Sequence, residues 1–451
     1  MTDKLNARQR SVSILKMQKV KVIGGGLAGA EVAYFLAKKG IEVDLYEIKP
    51  NKKTPAHTSN DYAELVCSNS LKSNDVFGNA AGLLKEEMRI LGSLVIESAD
   101  INKVPAGNAL AVDREKFSKY ITEKLYSLKN INHIAKEVEE IDFDGYTVIA
   151  TGPLTTDALS KNIQKIVGDG LSFYDASAPI VDFESIDMNN AFFGDRYDKG
   201  NGDHINCPMD KEQYLAFIED LTNAERAHLH DFEDTAVFEG CMPIEIMASR
   251  GIDTLRFGPL KPVGLTNPKT GRWAYACLQL RKEDANGKMY NLVGFQTNLT
   301  FPEQKKVFAN IPALKNAEYL RYGVMHRNTF IQSPKVLNED YSLREHDNIY
   351  FAGQITGVEG YVESAASGLM TAIYLYNKIK GKDLKPITDK TVLGSLAKYI
   401  TTENKDFQPM NANFGILPPL DRIVRDKKER KRLMAERSLI EVQEFKKELE
   451  I

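Results

Sequence analysis

The apolar positions along the chain recur with two different periods, and the changes between them mark out successive elements. A polar, unpatterned stretch from Met1 to Lys16 gives way to Val20-Lys21-Val22-Ile23, which reads as a short buried strand. Ala30, Val32, Ala33, Phe35, Leu36 and Ala37 then recur at helical spacing with residues small enough to pack closely on a sheet, and Gly40 ends that helix. Ile41-Glu42-Val43-Asp44-Leu45-Tyr46-Glu47 alternates as a strand. Strand, turn, helix and strand in this order open a doubly wound sheet. Residues 146–152 and 348–354 read as two further strands of that sheet. Residues 364–372 form a helix with a small-residue face, which lets a helix N-terminus approach a ligand. Between these pieces the pattern changes to mixed strands and loops with Gly-Pro punctuation, as in Phe257-Gly258-Pro259-Leu260.

The turn after the first strand is Gly24-Gly25-Gly26-Leu27-Ala28-Gly29. Its context, a strand before and a helix after, makes it a dinucleotide-binding turn: Gly24 permits the tight bend, Gly26 lets a pyrophosphate approach the backbone and Gly29 allows close packing. The helix N-terminus supplies unpaired N–H donors and partial positive charge. Glu47, 18 residues after Gly29 at the end of the second strand, is placed to accept from ribose hydroxyls. The turns at Thr151-Gly152 and Gly353-Gln354 supply two further contact points, and together they favour a long, permanently held FAD over NAD. No second complete GxGxxG is present, so NAD(P)H is expected to bind only transiently.

The fold class is therefore α/β: a Rossmann-like, two-dinucleotide-binding-domain flavoprotein with an inserted mixed α/β domain. The expected division is an N-terminal extension over 1–16, the first part of the FAD-binding domain over 17–180, and the inserted substrate domain over 181–330. The second part of the FAD-binding domain follows over 331–388, and a C-terminal helical segment with a basic tail over 389–451. No run approaches eighteen consecutive apolar residues and the start of the chain has no signal-type apolar core, so a membrane partner is not expected and a cytoplasmic location is.

A formal charge of -3 gives no global attraction to nucleic acid, so an RNA partner requires a local basic patch. Two sets qualify. One is Arg422, Arg425, Lys427, Lys428, Arg430, Lys431 and Arg432, equally readable as a solvated helix face because Asp426, Glu429 and Glu436 are interleaved. The other is Arg250, Arg256, Lys261, Lys269, Arg272 and Arg281. The four cysteines form no CxxC pair, which argues against a metal knuckle or a disulfide framework, and no metal site is expected. Cys207 and Cys277 read as core or wall residues. Cys67 stands where an apolar strand end meets polar turn residues, and Cys241 between Gly240 and Met242-Pro243 with carboxylates on either side. A free cysteine is most often a small buried hydrophobe; a nucleophilic one needs a lowered pKa, with Lys72, Arg250 or Lys261 as candidate helpers. His326-Arg327-Asn328 forms a polar cluster at the return from the inserted domain, and Trp273 either packs there or stacks on a ring.

Five strings together resemble one family: Gly-Gly-Gly-Leu-Ala-Gly-Ala-Glu at 24–31, Glu-Leu-Val-Cys-Ser-Asn-Ser-Leu at 64–71, Phe-Glu-Gly-Cys-Met-Pro-Ile-Glu at 238–245, Tyr-Gly-Val-Met-His-Arg-Asn-Thr at 322–329 and Phe-Gln-Pro-Met-Asn-Ala-Asn-Phe-Gly at 407–415. The chain is similar, from about Met17 to Pro419, to the bacterial folate- and FAD-dependent RNA uridine-5-methyltransferases. The resemblance implies that a methylene group from 5,10-methylenetetrahydrofolate is reduced and delivered as a methyl to C5 of a uridine. It implies that Cys241 is the thiolate that adds at C6 to make C5 nucleophilic, and that Cys67 is the second family cysteine, near the flavin. The family's usual substrate is the T-loop uridine of tRNA (position 54), and a paralogue acts on 23S rRNA; no residue separates the two. A small-molecule flavin oxidoreductase is the other class compatible with the FAD motifs alone.

Overall fold

The computed structural model describes residues 19–449 apart from 55, 169–170, 177, 199–201, 228–241, 284–286, 324 and 405–406. The alternating first strand becomes β1 (Val20–Ile23), followed by the helix α1 (Leu27–Lys38) and β2 (Val43–Glu47). Every residue of α1 from Leu27 to Ala37 is buried, because the helix is covered on both sides. A small antiparallel patch follows, built from β3 (Ser70–Ser73), β4 (Lys103–Val104) and β5 (Ala109–Val112) in the order β3-β5-β4, with α2 (Ala80–Leu91) between its strands. After α3 (Arg114–Ser127) the chain returns to the first sheet as β6 (Ile131–Ala135) and β7 (Tyr146–Ile149).

The chain then leaves through β8 (Leu171–Ala176), which pairs antiparallel with the returning strand β15 (Met325–Phe330). Between the two lies a six-stranded antiparallel sheet of β9 (Ile180–Asp182), β10 (Phe192–Phe193), β11 (Ile205–Met209), β12 (Ala276–Lys282), β13 (Met289–Leu292) and β14 (Tyr319–Arg321), in the order β10-β11-β12-β13-β9-β14. It has its own apolar core, in which Tyr214, Phe217, Phe295 and Phe308 of α4 (Phe301–Phe308) are central. The last strand, β16 (Ile349–Phe351), completes the parallel sheet in the order β16-β7-β1-β2-β6.

The long helix α5 (Tyr361–Ile379) lies against α1. Its small residues serve this packing: a Cβ on Gly368 would stand 2.4 Å from the Ala28 carbonyl oxygen, too close for any side chain. Beyond α5, α6 (Val392–Thr401) and the charged helix α7 (Lys427–Glu448) pack back on α2. The link is Glu87 of α2. Its buried carboxylate accepts from Val392 N at 2.8 Å and Leu393 N at 2.9 Å, capping α6, and from the Ser438 hydroxyl of α7. Glu31 of α1 caps the helix Leu94–Ile101 in the same way, through Leu94 N, Val95 N and the Ser93 hydroxyl. These caps replace solvent at helix ends that the fold buries. Among the described residues no helix is long and apolar enough to cross a membrane.

Burial raises the Glu87 carboxyl from 4.5 to about 7, with its three donors opposing. A folded-state pKa above the unfolded one means the stabilising contribution is complete below the unfolded value and is lost as pH rises through about 7. Relative to Glu87→Gln, which does not titrate, the wild type should therefore lose roughly 2–3 kcal/mol of stability between about pH 5 and about pH 8. Denaturant unfolding of both proteins at the two pH values measures the difference directly.

Candidate functional site

The glycine turn forms the floor of two adjoining cavities. The smaller, about 90 Å³, is lined by Gly24, Gly25, Gly26, Glu47, Lys49, Glu64 and the 150–156 turn. The larger, about 350 Å³, continues from Gly26, Ala28 and Glu64 past Thr151 and Gly152 to Gly353, Gln354, Cys67 and Tyr361. Of the eight residues expected at the cofactor, Gly24, Gly26, Glu47, Thr151, Gly152, Gly353 and Gln354 line these two cavities, and Gly29 packs behind the turn against Gly24.

The glycines act differently there. Gly24 has φ +102°, and a Cβ on it would meet the Ala150 carbonyl oxygen at 2.6 Å; a Cβ on Gly29 would lie 1.8 Å from the Gly24 oxygen. Those two let the turn close on the sheet. Gly26 is the opposite case, because a Cβ there would meet no protein atom within 4 Å and would project into open space at the N-terminus of α1. That is the space a pyrophosphate needs. The Glu47 carboxylate is fixed by Gly25 N at 2.7 Å and Lys49 N at 3.2 Å. Glu64, which lines both cavities, accepts from Thr58 and Ser59 through one oxygen, while its buried Oε2 has no hydrogen-bond donor among the described residues. Lys49 Nζ faces that oxygen at 3.8 Å, and the open floor, helix N-terminus and oriented Glu47 carboxylate fit a dinucleotide with hydroxylated sugars.

At the far end of the larger cavity stands Cys67. The strand expected around it begins only at Ser70, so the thiol sits on irregular backbone held by hydrogen bonds. Tyr361, the first residue of α5, is what holds it: its hydroxyl accepts from Cys67 N at 2.7 Å and Ser68 N at 3.2 Å and donates to Cys67 Sγ at 3.1 Å. Burial first, and the adjacent Cys67 second, push the Tyr361 hydroxyl well above its ordinary pKa, so it remains a donor to sulfur. Three guanidinium groups act electrostatically on Cys67: Arg114, Arg281 and Arg321. Arg114 pairs with the buried Glu283 at 2.6 Å, and Arg281 donates to Asn69 Oδ1 at 3.0 Å and Ser68 Oγ at 2.7 Å. Guanidinium groups from both cores thus gather about Cys67, with the Glu283 and Glu64 carboxylates set among them.

Sequence reasoning missed this cluster and misplaced one member. Arg281 was grouped with surface bases, yet it is tied to the Cys67 segment and is no part of an exposed RNA-facing set. Of the helpers considered for the thiols, Lys72 lines the same cavity but is paired with Glu363 at 2.8 Å, whereas Arg250 and Lys261 are exposed on the inserted domain. Cys241 lies outside the described residues. His326, Arg327 and Asn328 fall on β15, opposite Asp175, Tyr174 and Phe173. Cys207 and Cys277 are buried, and burial pushes the Cys277 thiol up to about 12. Trp273 is half exposed rather than packed away. In the C-terminal run, Arg432 is matched by Glu429 and Glu436 on its own helix and Lys431 donates to Gly78 O, so part of the run is an internally paired helix face.

A parallel sheet whose first turn, acidic strand end and last turn line two adjoining cavities defines a flavoprotein of the two-dinucleotide-binding-domain class. The comparisons take this further. Residues 19–383 match the family of glucose inhibited division protein A. The methylenetetrahydrofolate–tRNA-(uracil-5-)-methyltransferase of Fusobacterium nucleatum is 56% identical over 423 residues, covering 94% of this chain and 97% of that one. The protein of the same name from Staphylococcus aureus is 55% identical over 435 residues, covering 96% and 100%. Among solved structures, GidA of Aquifex aeolicus superposes with a TM-score of 0.69 at 16% identity, over 96% of this chain and 74% of that chain, which shows a shared fold. The chain belongs to the GidA/TrmFO family.

Because a side chain at position 26 would touch no protein atom, its effect must act through the ligand. Gly26→Val is expected to fold but to purify with its flavin content lowered at least about tenfold, read from the visible absorbance. Gly29→Ala, which collides with the Gly24 backbone, should instead lower the unfolding temperature.

Proposed function

We propose that this protein transfers a one-carbon unit from 5,10-methylenetetrahydrofolate to C5 of a uridine in tRNA, with FAD as its resident cofactor. The single observation that carries the reading is the near-complete, 55–56% identical match to relatives named as methylenetetrahydrofolate–tRNA-(uracil-5-)-methyltransferases. The transferred carbon enters as a methylene and leaves as a methyl, so two electrons and two protons are added overall, a hydride equivalent from NAD(P)H and one proton from solvent. NAD(P)H supplies the electrons, and the products are tetrahydrofolate, NAD(P)+ and 5-methyluridine. When bound, FAD supplies the two-electron relay between the nicotinamide and the carbon.

The chain's own groups take the remaining tasks. Gly26 and the N-terminus of α1 receive the pyrophosphate, Glu47 the ribose, and the Thr151-Gly152 and Gly353-Gln354 turns line the path toward the ring system. Cys67, oriented by Tyr361 and set among three guanidiniums, stands at the reacting end of the cavity. Cys241 adds to C6 of the uracil and leaves after the C5 proton is lost, so no S-adenosylmethionine is required. A location in the cytoplasm, where tRNA and reduced folate are available, follows from this reading.

Holoenzyme supplied with methylenetetrahydrofolate and NAD(P)H should form 5-methyluridine in a tRNA transcript and not in a 23S rRNA transcript. Cys241→Ala should retain its yellow colour and lose the methylation. Methylation of the rRNA alone would transfer the reading to the ribosomal substrate; NAD(P)H turnover indifferent to both RNA and Cys241→Ala would replace it with a small-molecule oxidoreductase.

A further inference from the structure

The segment that carries Cys67 belongs to the flavin domain, yet much of what holds it comes from the inserted domain. Directly after the cysteine stands Arg281 of β12, whose Nε donates to Asn69 Oδ1 at 3.0 Å and whose Nη2 donates to Ser68 Oγ at 2.7 Å. One planar guanidinium thus grips two consecutive side chains. Ser68 Oγ also accepts from Ser70 N at 3.1 Å, so the entry to β3 is tied to the same group. Asn69 is fully buried, and its side-chain amide bridges the two domains: Nδ2 donates to Val112 O of β5 at 3.1 Å and to Lys282 O of β12 at 2.7 Å.

The other guanidiniums extend this hold. Arg321 of β14 donates to Ala56 O at 3.1 Å, and Arg114, paired with Glu283 beyond β12, donates to Leu65 O at 3.0 Å. Residues 56–69, which put His57, Glu64 and Cys67 on the cavity walls, are therefore fastened at both ends by arginines of the inserted domain. The hold matters because Cys67 precedes the first residue of β3 and has no sheet ladder of its own. Tyr361 takes the backbone N–H groups of Cys67 and Ser68 on one side, and Arg281 takes the side chains of Ser68 and Asn69 on the other.

We infer that Arg281 is a positioning residue for the transfer: it ties the place of the Cys67 thiol to the docking of the inserted domain. This rests on the RNA-methylation reading given above. Group transfer requires its reacting groups to be held within a fraction of an ångström, and irregular backbone reaches that precision only through side-chain contacts. A guanidinium fork fixes both distance and direction, whereas an ammonium at the same position keeps the charge without the planar two-point grip.

The test compares Arg281→Lys and Arg281→Met with the wild type as holoenzymes, with flavin content and thermal midpoint as controls of folding. Two quantities are read: the rate of carbamidomethylation of Cys67 near neutral pH, followed on its own peptide by mass spectrometry, and kcat and KM for a tRNA transcript. Arg281→Met removes a cation that acts on the sulfur and should slow the alkylation about tenfold, while Arg281→Lys stays near the wild type. Both variants should lose at least about tenfold in kcat with KM unchanged, because charge alone does not hold the thiol in place. Alkylation of Arg281→Met at the wild-type rate, a kcat for Arg281→Lys equal to the wild type, or a loss that falls on KM or tracks the flavin content overturns the inference. If Arg281→Met does not fold, Arg281→Lys carries the test through its kcat. If the wild type forms no 5-methyluridine, the functional reading fails and the positioning role fails with it; if it does and Arg281→Lys matches it, the positioning role alone fails.

Discussion

Close approach of backbones is the constraint on which the site depends. The α1 helix must lie against the Ala150 turn on one side and α5 on the other, and any Cβ on Gly24, Gly29 or Gly368 would stand within 2.6 Å of a backbone oxygen. Only when those three contacts close does the N-terminus of α1 face a cavity rather than solvent, with the Gly26 position open. The same closure brings the first residue of α5, Tyr361, down on the Cys67 backbone. One packing requirement thus fixes both the glycine turn at one end of the site and the oriented thiol at the other.

The electrostatics follow from that geometry. Arg114 begins a helix of the flavin domain, whereas Arg281 and Glu283 stand on and just beyond the strand β12 of the inserted domain, and they meet only because the two cores dock at the Cys67 segment. The pair Arg114–Glu283 is buried and by itself contributes little net stability, since desolvation offsets the attraction. Its consequence is local. It gathers guanidinium groups from both cores about the Cys67 segment, whose sulfur accepts from the Tyr361 hydroxyl.

How much of this was legible in the sequence depended on chain distance. The strand–turn–helix–strand opening was plain because its apolar period and its glycines lie within some thirty residues, and Gly24, Gly26 and Glu47 fall where that pattern put them. The late Gly353-Gln354 turn was legible for the same reason, as a strand ending in a small residue. The arginine cluster was not, because Arg114, Arg281 and Arg321 are brought together by tertiary docking alone, and Arg281 in its local context looks like any surface base. Tyr361 carried a weak signal, an aromatic residue directly after Gly360 at a helix start.

In the proposed transfer, the carbon that reaches uridine comes from folate. The most direct measurement follows a carbon label placed on the methylene of methylenetetrahydrofolate, with holoenzyme, NAD(P)H, unlabelled S-adenosylmethionine and tRNA present, and reads the mass of the nucleosides. The label is expected in the methyl group of 5-methyluridine. A methyl that carries no label, or label that never leaves the folate while NAD(P)H is consumed, would contradict it.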